Sequence, residues 1–472
     1  MATNLHKTPE DFTGRRVTIM GLGLNGGGLA STLFFARRGA EVTVTDLRTE
    51  EVLGPSLEAL AGLPVRYVLG RHEEADFRNA DIVVKNPAVR VGNPFVALAR
   101  RVETDLSLFL SSLDNPVLAV TGSKGKSTTA TALHRILVSV DPRARIGGNI
   151  TVSPLTFLED LEPGAPVVLE LSSWQLADLK GRGLLRPRVS AVTNLLWDHM
   201  NSYPDQGAYA GDKAVVFEAQ DPATWTLLPV EEPWGPWFAD RTPGRRAWIG
   251  PGPLTSLPDE GARFSVAEGR GQWLDGDGVL REAILLPGAL RVPGAPFRRN
   301  CLAAGALAVL AGVDPAAVAP ALAAFPGVEH RLERFAVRSG VAFYNDTTAT
   351  IPEAAAASVT SFDVPVHWIA GGTDKSLEFS AFERMGKAPA SIVLLRGTAT
   401  DRMVPIFRAK GWSWDGPYDT LDEAVARAVS RARPGEVVVF SPGATSFELF
   451  KNEFYRGNAF KDLVLALPGE AP

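Results

Sequence analysis

Short apolar runs alternate with longer stretches of helical composition, a pattern typical of parallel α/β sheets. Near the N-terminus the runs predict strands at 17–20, 41–46 and 81–85, with a helix over 29–38. A second series predicts strands at 116–121, 167–171 and 189–193, and a third predicts strands at 341–345, 366–370, 391–395 and 436–440. Between 221 and 296, where proline, glycine and five of the ten tryptophans gather, we expect a smaller β region of the central domain.

These three series predict an α/β fold with three domains. At about 100–200 residues per domain, a chain of 472 residues has room for two to four of them. We place an N-terminal Rossmann-like domain at 1–103, a central domain of the P-loop ATPase type at 104–327 and a C-terminal Rossmann-like domain at 328–472. Several of the predicted strands run into glycine or proline, which is typical of strand ends that open onto ligand loops.

A glycine-rich turn follows the first predicted strand. Gly21, Gly23 and Gly26 have the G-x-G-x-x-G spacing, and Asp46 ends the next strand. Glycines let the backbone approach phosphate oxygens, and an acid at that position can bind ribose hydroxyls. Taken alone, the motif predicts a nucleotide site, and an NAD(P)-dependent oxidoreductase is the simplest protein that carries one.

A second loop predicts a triphosphate site. The segment from Thr121 to Thr128 reads TGSKGKST, follows a clean apolar strand and precedes a helical stretch. It is a shorter G-x-x-G-K-S form of the phosphate-binding loop. In such a loop the backbone N–H groups hold the phosphates, Lys126 neutralises the β/γ oxygens and the Ser127 hydroxyl ligates Mg²⁺.

Three further side chains occupy positions that suit a metal or a reacting group. Glu170 lies near the end of a predicted strand, where a carboxylate can hold Mg²⁺. His199 follows another strand and could ligate a metal through a neutral ring nitrogen. Lys213 precedes an apolar run that suggests partial burial. A structural histidine and a lysine that reaches solvent are the simpler interpretations of the last two.

Composition narrows the class of protein. The chain has 48 Lys and Arg against 53 Asp and Glu, and a net charge of −5 disfavours a nucleic-acid binder. The single cysteine, Cys301, excludes an intrachain disulfide and favours a reducing cytoplasm. No apolar run reaches the roughly 18 residues of a membrane span, and the first residues lack the apolar core of a signal peptide. We therefore expect a cytoplasmic protein that binds neither membrane nor nucleic acid.

Taken together, the motifs resemble the Mur ligase family over nearly the whole chain, and within it the type that adds glutamate to UDP-N-acetylmuramoyl-L-alanine. Members of this family use ATP to join an amino acid to a nucleotide-linked peptidoglycan precursor. The resemblance rests on spaced motifs in order: Thr121–Thr128, Gly147–Asn149, Glu170–Leu176, Asp198–Met200, Lys213, His330–Arg331, Asn345–Thr350, Gly371–Lys375, Ser441–Ser446 and Arg456–Phe460.

The resemblance implies ATP and two Mg²⁺ ions as cofactors. It also implies a monomeric enzyme whose partners are small molecules. It assigns catalysis to Lys126, His199 and Lys213, and metal binding to Ser127, Glu170, His199 and a carbamylated Lys213. It assigns ATP to Gly122, Ser123, Lys124, Gly125, Lys126, Ser127, Thr128, Asn300, Arg331 and Asp346. The UDP-linked substrate and glutamate are assigned to Leu24, Asn25, Asp46, Arg48, Asn149, Ser172, Gln175, Thr350, Lys375 and Ser446.

Three departures from the family pattern keep alternatives open. Thr348 stands where a lysine is common, Arg299-Asn300 with Ala304 replaces a His-Asn…Asn run, and Glu453 lies between Asn452 and Phe454. Because two of these fall on the expected glutamate pocket, ligation of L-glutamate is an alternative to D-glutamate. Folylpolyglutamate synthase shares the ATP loop and a glutamate substrate but lacks an N-terminal UDP domain. A nucleotide-binding regulator without ligase activity would bind ATP and form no amide.

Overall fold

The computed structural model describes residues 11–24, 26–89, 92–196, 203–231, 233–266, 271–281, 283–375, 377–446 and 450–468. The chain divides into two compact units, one formed by 1–288 with 299–322 and the other by 289–298 with 323–472. Within the described residues the strands form three sheets of five, nine and six strands, which confirms the predicted α/β class. None of the helices in these ranges is both long and apolar enough to cross a membrane.

The first sheet has the strand order β3-β2-β1-β4-β5 and is parallel throughout. Because β2 and β4 lie on opposite sides of β1, the strand order reverses at its carboxyl end, where α/β sheets bind ligands. The elements are β1 (Arg16–Met20), α1 (Gly27–Ala36), β2 (Glu41–Asp46), α2 (Glu50–Glu58), β3 (Val65–Leu69), α3 (Glu74–Arg78), β4 (Ile82–Lys85) and β5 (Val102–Glu103).

The second sheet has the order β14-β13-β12-β11-β10-β9-β6-β8-β7. The tryptophan-rich segment adds β10 to β14 to this same sheet, as expected, and its last two strands are antiparallel. The elements are α4 (Asp105–Ser111), β6 (Val117–Thr121), α5 (Lys126–Val140), β7 (Arg145–Gly148), β8 (Val167–Glu170), α6 (Ser173–Ala177), β9 (Val189–Val192), α7 (Gln206–Ala214), β10 (Trp225–Pro229), α8 (Trp234–Ala239), β11 (Arg245–Gly250), β12 (Ala262–Ser265), β13 (Gln272–Leu274), β14 (Leu280–Arg281), α9 (Ala295–Leu310) and α10 (Val318–Ala323).

The third sheet has the order β15-β16-β20-β17-β18-β19, and only the β15–β16 pair among its described strands is antiparallel. The carboxyl ends of β16, β20 and β17 are therefore neighbours. The elements are β15 (Glu333–Arg338), β16 (Val341–Asn345), α11 (Pro352–Thr360), β17 (Val366–Ala370), α12 (Ser380–Arg384), β18 (Ser391–Leu395), α13 (Thr398–Ala409), β19 (Asp415–Tyr418), α14 (Leu421–Arg431), β20 (Val437–Phe440) and α15 (Glu453–Leu465).

A buried ion pair joins the first sheet to the segment that follows α6. The Lys85 ammonium, at the end of β4, donates to Asp178 at 2.7 Å and to the Val89 carbonyl at 3.0 Å. The two charged side chains are only 6% and 5% exposed. Burial raises the pKa of Asp178, although the charge of Lys85 acts in the opposite direction. Each charge therefore compensates the other in a poorly solvated place.

We expect Lys85→Met to lower the free energy of unfolding by about 3–5 kcal/mol, because the substitution leaves the Asp178 carboxylate buried without its cation. The double variant Lys85→Met/Asp178→Leu should recover most of this loss, since it removes both charges. Urea denaturation of the three proteins measures the effect. Lys180→Met is the matched control, because Lys180 pairs with Asp212 while its side chain is 58% exposed. Ion pairs at the surface contribute about 0–1 kcal/mol to stability. Equal stability of the two single variants would contradict the expectation.

Candidate active site

The TGSKGKST loop connects β6 to α5 as the sequence predicts. Gly122 has a φ of 141°, and a Cβ atom there would lie 2.0 Å from Thr193 Oγ1. Gly125 has a φ of 85° and precedes the first residue of α5. Both positions thus require glycine, for backbone conformation and for space. Ser127 and Thr128 lie in the first turn of α5, where unpaired backbone N–H groups favour anions.

Two lysine side chains meet at this loop. Lys126 Nζ donates to the carbonyl oxygens of Gly122 at 3.1 Å and Ser123 at 3.0 Å. Lys213 Nζ, from α7, donates to the same Gly122 carbonyl at 2.8 Å. Lys213 is 1% exposed, more deeply buried than the sequence suggests, and lies 4.4 Å from the ring centroid of Tyr209. The loop therefore combines the Lys126 cation with a helix N-terminus, which suits a polyphosphate.

Residues from two other elements complete the loop. Asn300, in α9, lies so close that a Cβ atom on Gly125 would be 2.5 Å from its Oδ1. Asn194, which sequence reasoning missed, follows β9 and accepts from the Lys124 N–H through Oδ1 at 2.9 Å. Its carbonyl accepts from the Ser123 N–H at 3.0 Å. The sequence signal for Asn194 is the Thr-Asn pair directly after β9, the strand that pairs with β6. Arg299, the neighbour of Asn300, pairs with Glu231.

Glu170 ends β8, beside the loop strand. It is 1% exposed, and its register partner on β6 is Val120. Asn149 Nδ2 donates to Glu170 Oε1 at 3.1 Å, and the Asn149 N–H donates to the Glu170 carbonyl at 2.8 Å. Gly148 permits this approach, because a Cβ atom there would lie 2.2 Å from the Glu170 carbonyl oxygen. The structure thus joins the Gly-Gly-Asn element directly to the acidic strand end.

Ser172 and Gln175 cap the short helix α6. Ser172 Oγ accepts from the Gln175 N–H at 3.3 Å, while Gln175 Oε1 accepts from the Ser172 N–H at 3.1 Å. This reciprocal capping gives both residues a structural role next to Glu170. His199 and its neighbour Asp198 lie outside the described residues, as does Asn25.

The glycine-rich turn of the first sheet also has the predicted geometry. Asp46, the last residue of β2, accepts from the Gly23 N–H at 3.0 Å and from the Arg48 N–H at 2.9 Å. Both contacts orient the carboxylate toward the turn. Beside them is a cavity of about 310 Å³, whose lining includes the predicted residues Leu24, Asp46 and Arg48 and the unpredicted residues Met20, Leu47, His72, Asn86 and Val89.

Asp346 lies at the carboxyl end of β16. Its Oδ2 accepts from Ser441 Oγ at 2.6 Å, and its Oδ1 accepts from the Leu332 N–H at 2.9 Å. Burial raises the pKa of Asp346 to about 6, although these hydrogen bonds and the charge of Arg331 lower it. Arg331 and Asp346, both predicted to bind ATP, are therefore electrostatic neighbours.

Three loops of the third sheet carry the residues predicted to bind glutamate. The Gly443 N–H donates to the Ala349 carbonyl at 2.9 Å, which connects the loop of Thr350 to that of Ser446. A bridge between Thr373 and Thr445 connects the Lys375 loop to the Ser446 loop. Ser446 is 3% exposed, and its hydroxyl has no hydrogen-bond partner within the described ranges.

Arg456 holds these loops together. Its guanidinium is 1% exposed and donates to the carbonyl oxygens of Thr347 at 2.8 Å and Ala444 at 3.1 Å. Burial lowers the pKa of Arg456 to about 10. Thr348, where the family commonly has lysine, donates through Oγ1 to the His330 carbonyl at 2.8 Å. Glu453 is the first residue of α15, and Asn452 caps that helix.

The chain is similar to proteins of known activity along most of its length. The family description "Mur ligase MurD-like, N-terminal domain" matches residues 15–106, and "Mur ligase middle domain" matches residues 120–248. UDP-N-acetylmuramoylalanine–D-glutamate ligase of Treponema pallidum is 37% identical over 96% of this chain and 97% of its own. The enzyme of that name from a Roseiflexus species is 39% identical over 96% and 99%.

Solved structures share the fold at low sequence identity. UDP-N-acetylmuramate–alanine ligase MurC of Thermotoga maritima is 19% identical, with a TM-score of 0.58 over 96% of this chain and 99% of its own. MurF ligase of the same organism, solved in complex with ADP, is 16% identical, with a TM-score of 0.53 over 90% and 94%. At sequence identities this low, the structural similarity supports the fold alone.

The raised pKa of Asp346 predicts a pH-dependent stability. Between pH 3.8 and about 6 the folded protein holds more of this proton than the unfolded chain, so the free energy of unfolding falls as the pH rises. Asp346→Asn cannot ionise, and its stability relative to the parent should increase by up to about 3 kcal/mol from pH 4 to pH 7. Thermal melts across this range measure the difference. A stability difference that does not change with pH would contradict the predicted role of Asp346. The same trend in the exposed control Asp363→Asn would also contradict it.

Proposed function

The chain belongs to the Mur ligase family, and on that basis we propose that it is an ATP-dependent ligase that adds D-glutamate to UDP-N-acetylmuramoyl-L-alanine in peptidoglycan precursor synthesis. One observation carries the proposal: the identity of 37–39% with relatives of that name extends over 96% of the chain. A dehydrogenase would leave the TGSKGKST loop without a role. A folylpolyglutamate synthase would leave residues 15–106 without one.

We assign the three predicted domains accordingly. Residues 1–103 hold the UDP of the substrate, 104–327 bind ATP, and 328–472 bind glutamate and part of ATP. Leu24, Asn25, Asp46 and Arg48 contact the uridine nucleotide, and Asn149, Ser172 and Gln175 contact the muramoyl-alanine portion. All partners are small molecules, and we expect a monomer in the cytoplasm.

The chemistry requires activation of a carboxylate. The substrate carboxylate attacks the γ-phosphorus of ATP, the bond to the β-phosphate oxygen breaks, and an acyl phosphate and ADP form. The glutamate amine then attacks the acyl carbon, a tetrahedral intermediate collapses, and phosphate leaves as the amine loses a proton. Lys126 and the loop N–H groups neutralise and align the phosphates while charge moves between oxygens. Asn300, Arg331 and Asp346 orient ATP.

The residues around the loop suit Mg²⁺. Glu170 and Ser127 offer a carboxylate and a hydroxyl, the oxygen ligands that Mg²⁺ prefers. In the part of the chain that the structure describes, no three His, Cys, Asp or Glu side chains cluster closely enough to form a metal site. Mg²⁺ suits such sparse protein ligation, because it retains waters and binds substrate phosphates. Bound there, the ion would supply charge neutralisation. We propose His199 and Lys213 as ligands of a second Mg²⁺ ion.

We propose that Lys213 is carbamylated in the active enzyme. The Lys213 ammonium would lose one proton to solvent, and the neutral amine would attack CO₂, forming an N–C bond and releasing a second proton. The cation thereby becomes an anion that can ligate Mg²⁺. The nearly complete burial of Lys213 beside the Gly122 carbonyl supports this role, because a water-excluded site protects the carbamate from hydrolysis.

The glutamate pocket is proposed at the carboxyl ends of β16, β17 and β20. Thr350, Lys375 and Ser446 hold the two carboxylates of the amino acid. The buried Ser446 hydroxyl supports this assignment, because a buried hydroxyl that has no hydrogen-bond partner among the described residues is suited to donate to a ligand oxygen.

An assay with both glutamate enantiomers tests the proposed reaction. Purified protein is mixed with ATP, Mg²⁺, UDP-N-acetylmuramoyl-L-alanine and either D- or L-glutamate, and phosphate release and product mass are followed. We expect stoichiometric ADP-forming ligation with D-glutamate, and none with Lys126→Ala. Ligation with L-glutamate alone would replace the assigned enantiomer. Phosphate release with neither would remove the ligase function.

Lys213→Ala should lower kcat by about 100-fold or more, because it removes the proposed carbamate ligand of the Mg²⁺ that neutralises the transferred phosphoryl group. A short carboxylic acid added to the assay should restore part of the activity by occupying the vacated space. Lys180→Ala, a surface control, should lose little and gain nothing from the acid. Undiminished activity of Lys213→Ala without the acid would exclude the carbamate.

A further inference from the structure

Asp105 is a buried carboxylate that the proposed reaction steps do not use. It is the first residue of α4, two residues after β5, and is 7% exposed. Its Oδ1 accepts from the Leu106 N–H at 2.8 Å, and its Oδ2 accepts from Ser153 Oγ at 2.7 Å. Burial raises the pKa of Asp105, although these hydrogen bonds lower it. A side chain that is withdrawn from water and bonded through both oxygens fixes the position of its partners.

The Asp105 carboxylate lies between two segments of the proposed substrate site. A Cβ atom on Gly27, the first residue of α1, would be 3.5 Å from Asp105 Oδ2. The carboxylate is therefore close to the N-terminus of the helix that follows the glycine-rich turn, where a negative charge is favoured. Its partner Ser153 is 4% exposed and ends the segment 148–153, which begins in the Gly-Gly-Asn element.

Hydrogen bonds hold the segment 148–153 at both ends. At its start, Asn149 donates to Glu170 twice, through its backbone N–H at 2.8 Å and through Nδ2 at 3.1 Å. At its end, Ser153 donates to Asp105. Asn149 is nevertheless exposed, so a ligand can reach its side chain while its backbone is held.

The middle of the segment has a strained backbone. Thr151 has a φ of 65°, a conformation that a β-branched residue rarely adopts and that persists where surrounding contacts impose it. The Thr151 carbonyl oxygen lies against the glycine-rich turn, since a Cβ atom on Gly26 would be 3.4 Å from it. The bond between Ser153 and Asp105 is the contact that holds the chain just beyond this strained residue.

We infer that Asp105 is a positioning residue, which anchors the segment 148–153 through Ser153 and thereby places Asn149 for the nucleotide-linked substrate. The inference rests on the proposed function, because it takes Asn149 to contact that substrate. It goes beyond that function in naming what holds Asn149 in place. Asp105 acts through Ser153 and has no part in the chemical steps.

Steady-state kinetics and hydrogen exchange of the full chain test the inference. We expect Asp105→Ala to raise KM for UDP-N-acetylmuramoyl-L-alanine about 10-fold and to leave KM for ATP within about twofold, because the lost bond is charge-assisted and holds only the substrate segment. Backbone amides of the segment 148–153 should exchange about 10-fold faster, with no change in β8. Asp105→Asn, which keeps an acceptor oxygen for Ser153, should raise the same KM less than about threefold.

Asn115→Ala is the matched control. Asn115 is 6% exposed and donates to the carbonyl oxygens of Glu162 at 2.7 Å and Ala165 at 3.0 Å. Its loss removes buried hydrogen bonds in the same unit of the chain and should lower the melting temperature. Because Asn115 has no bond to the segment 148–153, its substitution should leave both KM values and the exchange of that segment unchanged.

The outcomes separate this inference from the proposed function. Unchanged exchange of the segment in Asp105→Ala would overturn the anchor while leaving the ligase intact. Faster exchange with unchanged KM values, or an equal rise in both, would overturn the positioning of Asn149. Absence of ligation by the parent would remove the proposed function and the substrate role of Asn149, while exchange rates measured without substrate would still decide the anchor. If Asp105→Ala does not fold, Ser153→Ala removes the same hydrogen bond from the other side, and the same readouts decide.

Discussion

The carbonyl oxygen of Gly122 accepts hydrogen bonds from two lysine side chains, and this shared contact shapes the TGSKGKST loop. Lys126 reaches it from the helix that follows the loop, and Lys213 reaches it from α7. Two like charges in a poorly solvated place repel each other, and the proposed carbamylation of Lys213 would replace this repulsion with attraction to Lys126. Buried β6 and the glycine at the bend hold the carbonyl in place. The loop is thus preorganised for phosphate before any nucleotide arrives.

The strongest local motifs in the sequence correctly predicted the loop after β6 and the glycine-rich turn after β1. The TGSKGKST loop, the glycine-rich turn and Asp46 have geometries that follow from their spacing, because each motif lies between a strand and a helix that are close in sequence. The central placement of the tryptophan-rich segment was also predicted. Residues 289–298, by contrast, pack with the third sheet's unit, although the rest of α9, from Arg299 on, belongs to the other unit. Such long-range docking leaves no periodic signal.

Other features could not be predicted, because their chemistry arises from contacts between distant segments. His72 is a single histidine in a loop, and only the fold brings it into contact with Thr45, Phe77 and Phe95. Lys85 looks like an ordinary strand-end lysine until Asp178 is brought beside it. Strand β3, at the edge of the first sheet, has few buried positions and hence a weak apolar pattern. Ser172 and Gln175 were predicted as substrate ligands, yet their capping bonds are equally visible in the spacing of the two residues.

The buried guanidinium of Arg456 limits how the loops of the proposed glutamate pocket could change. Because one side chain bonds to the backbone of two loops, and a third loop is bridged to them, none of the three can shift without disturbing the others. A substitution that changes the size or charge of a side chain in one of these loops therefore affects the positions of the other two. A change in the proposed glutamate pocket would therefore require coordinated replacements in more than one of these loops.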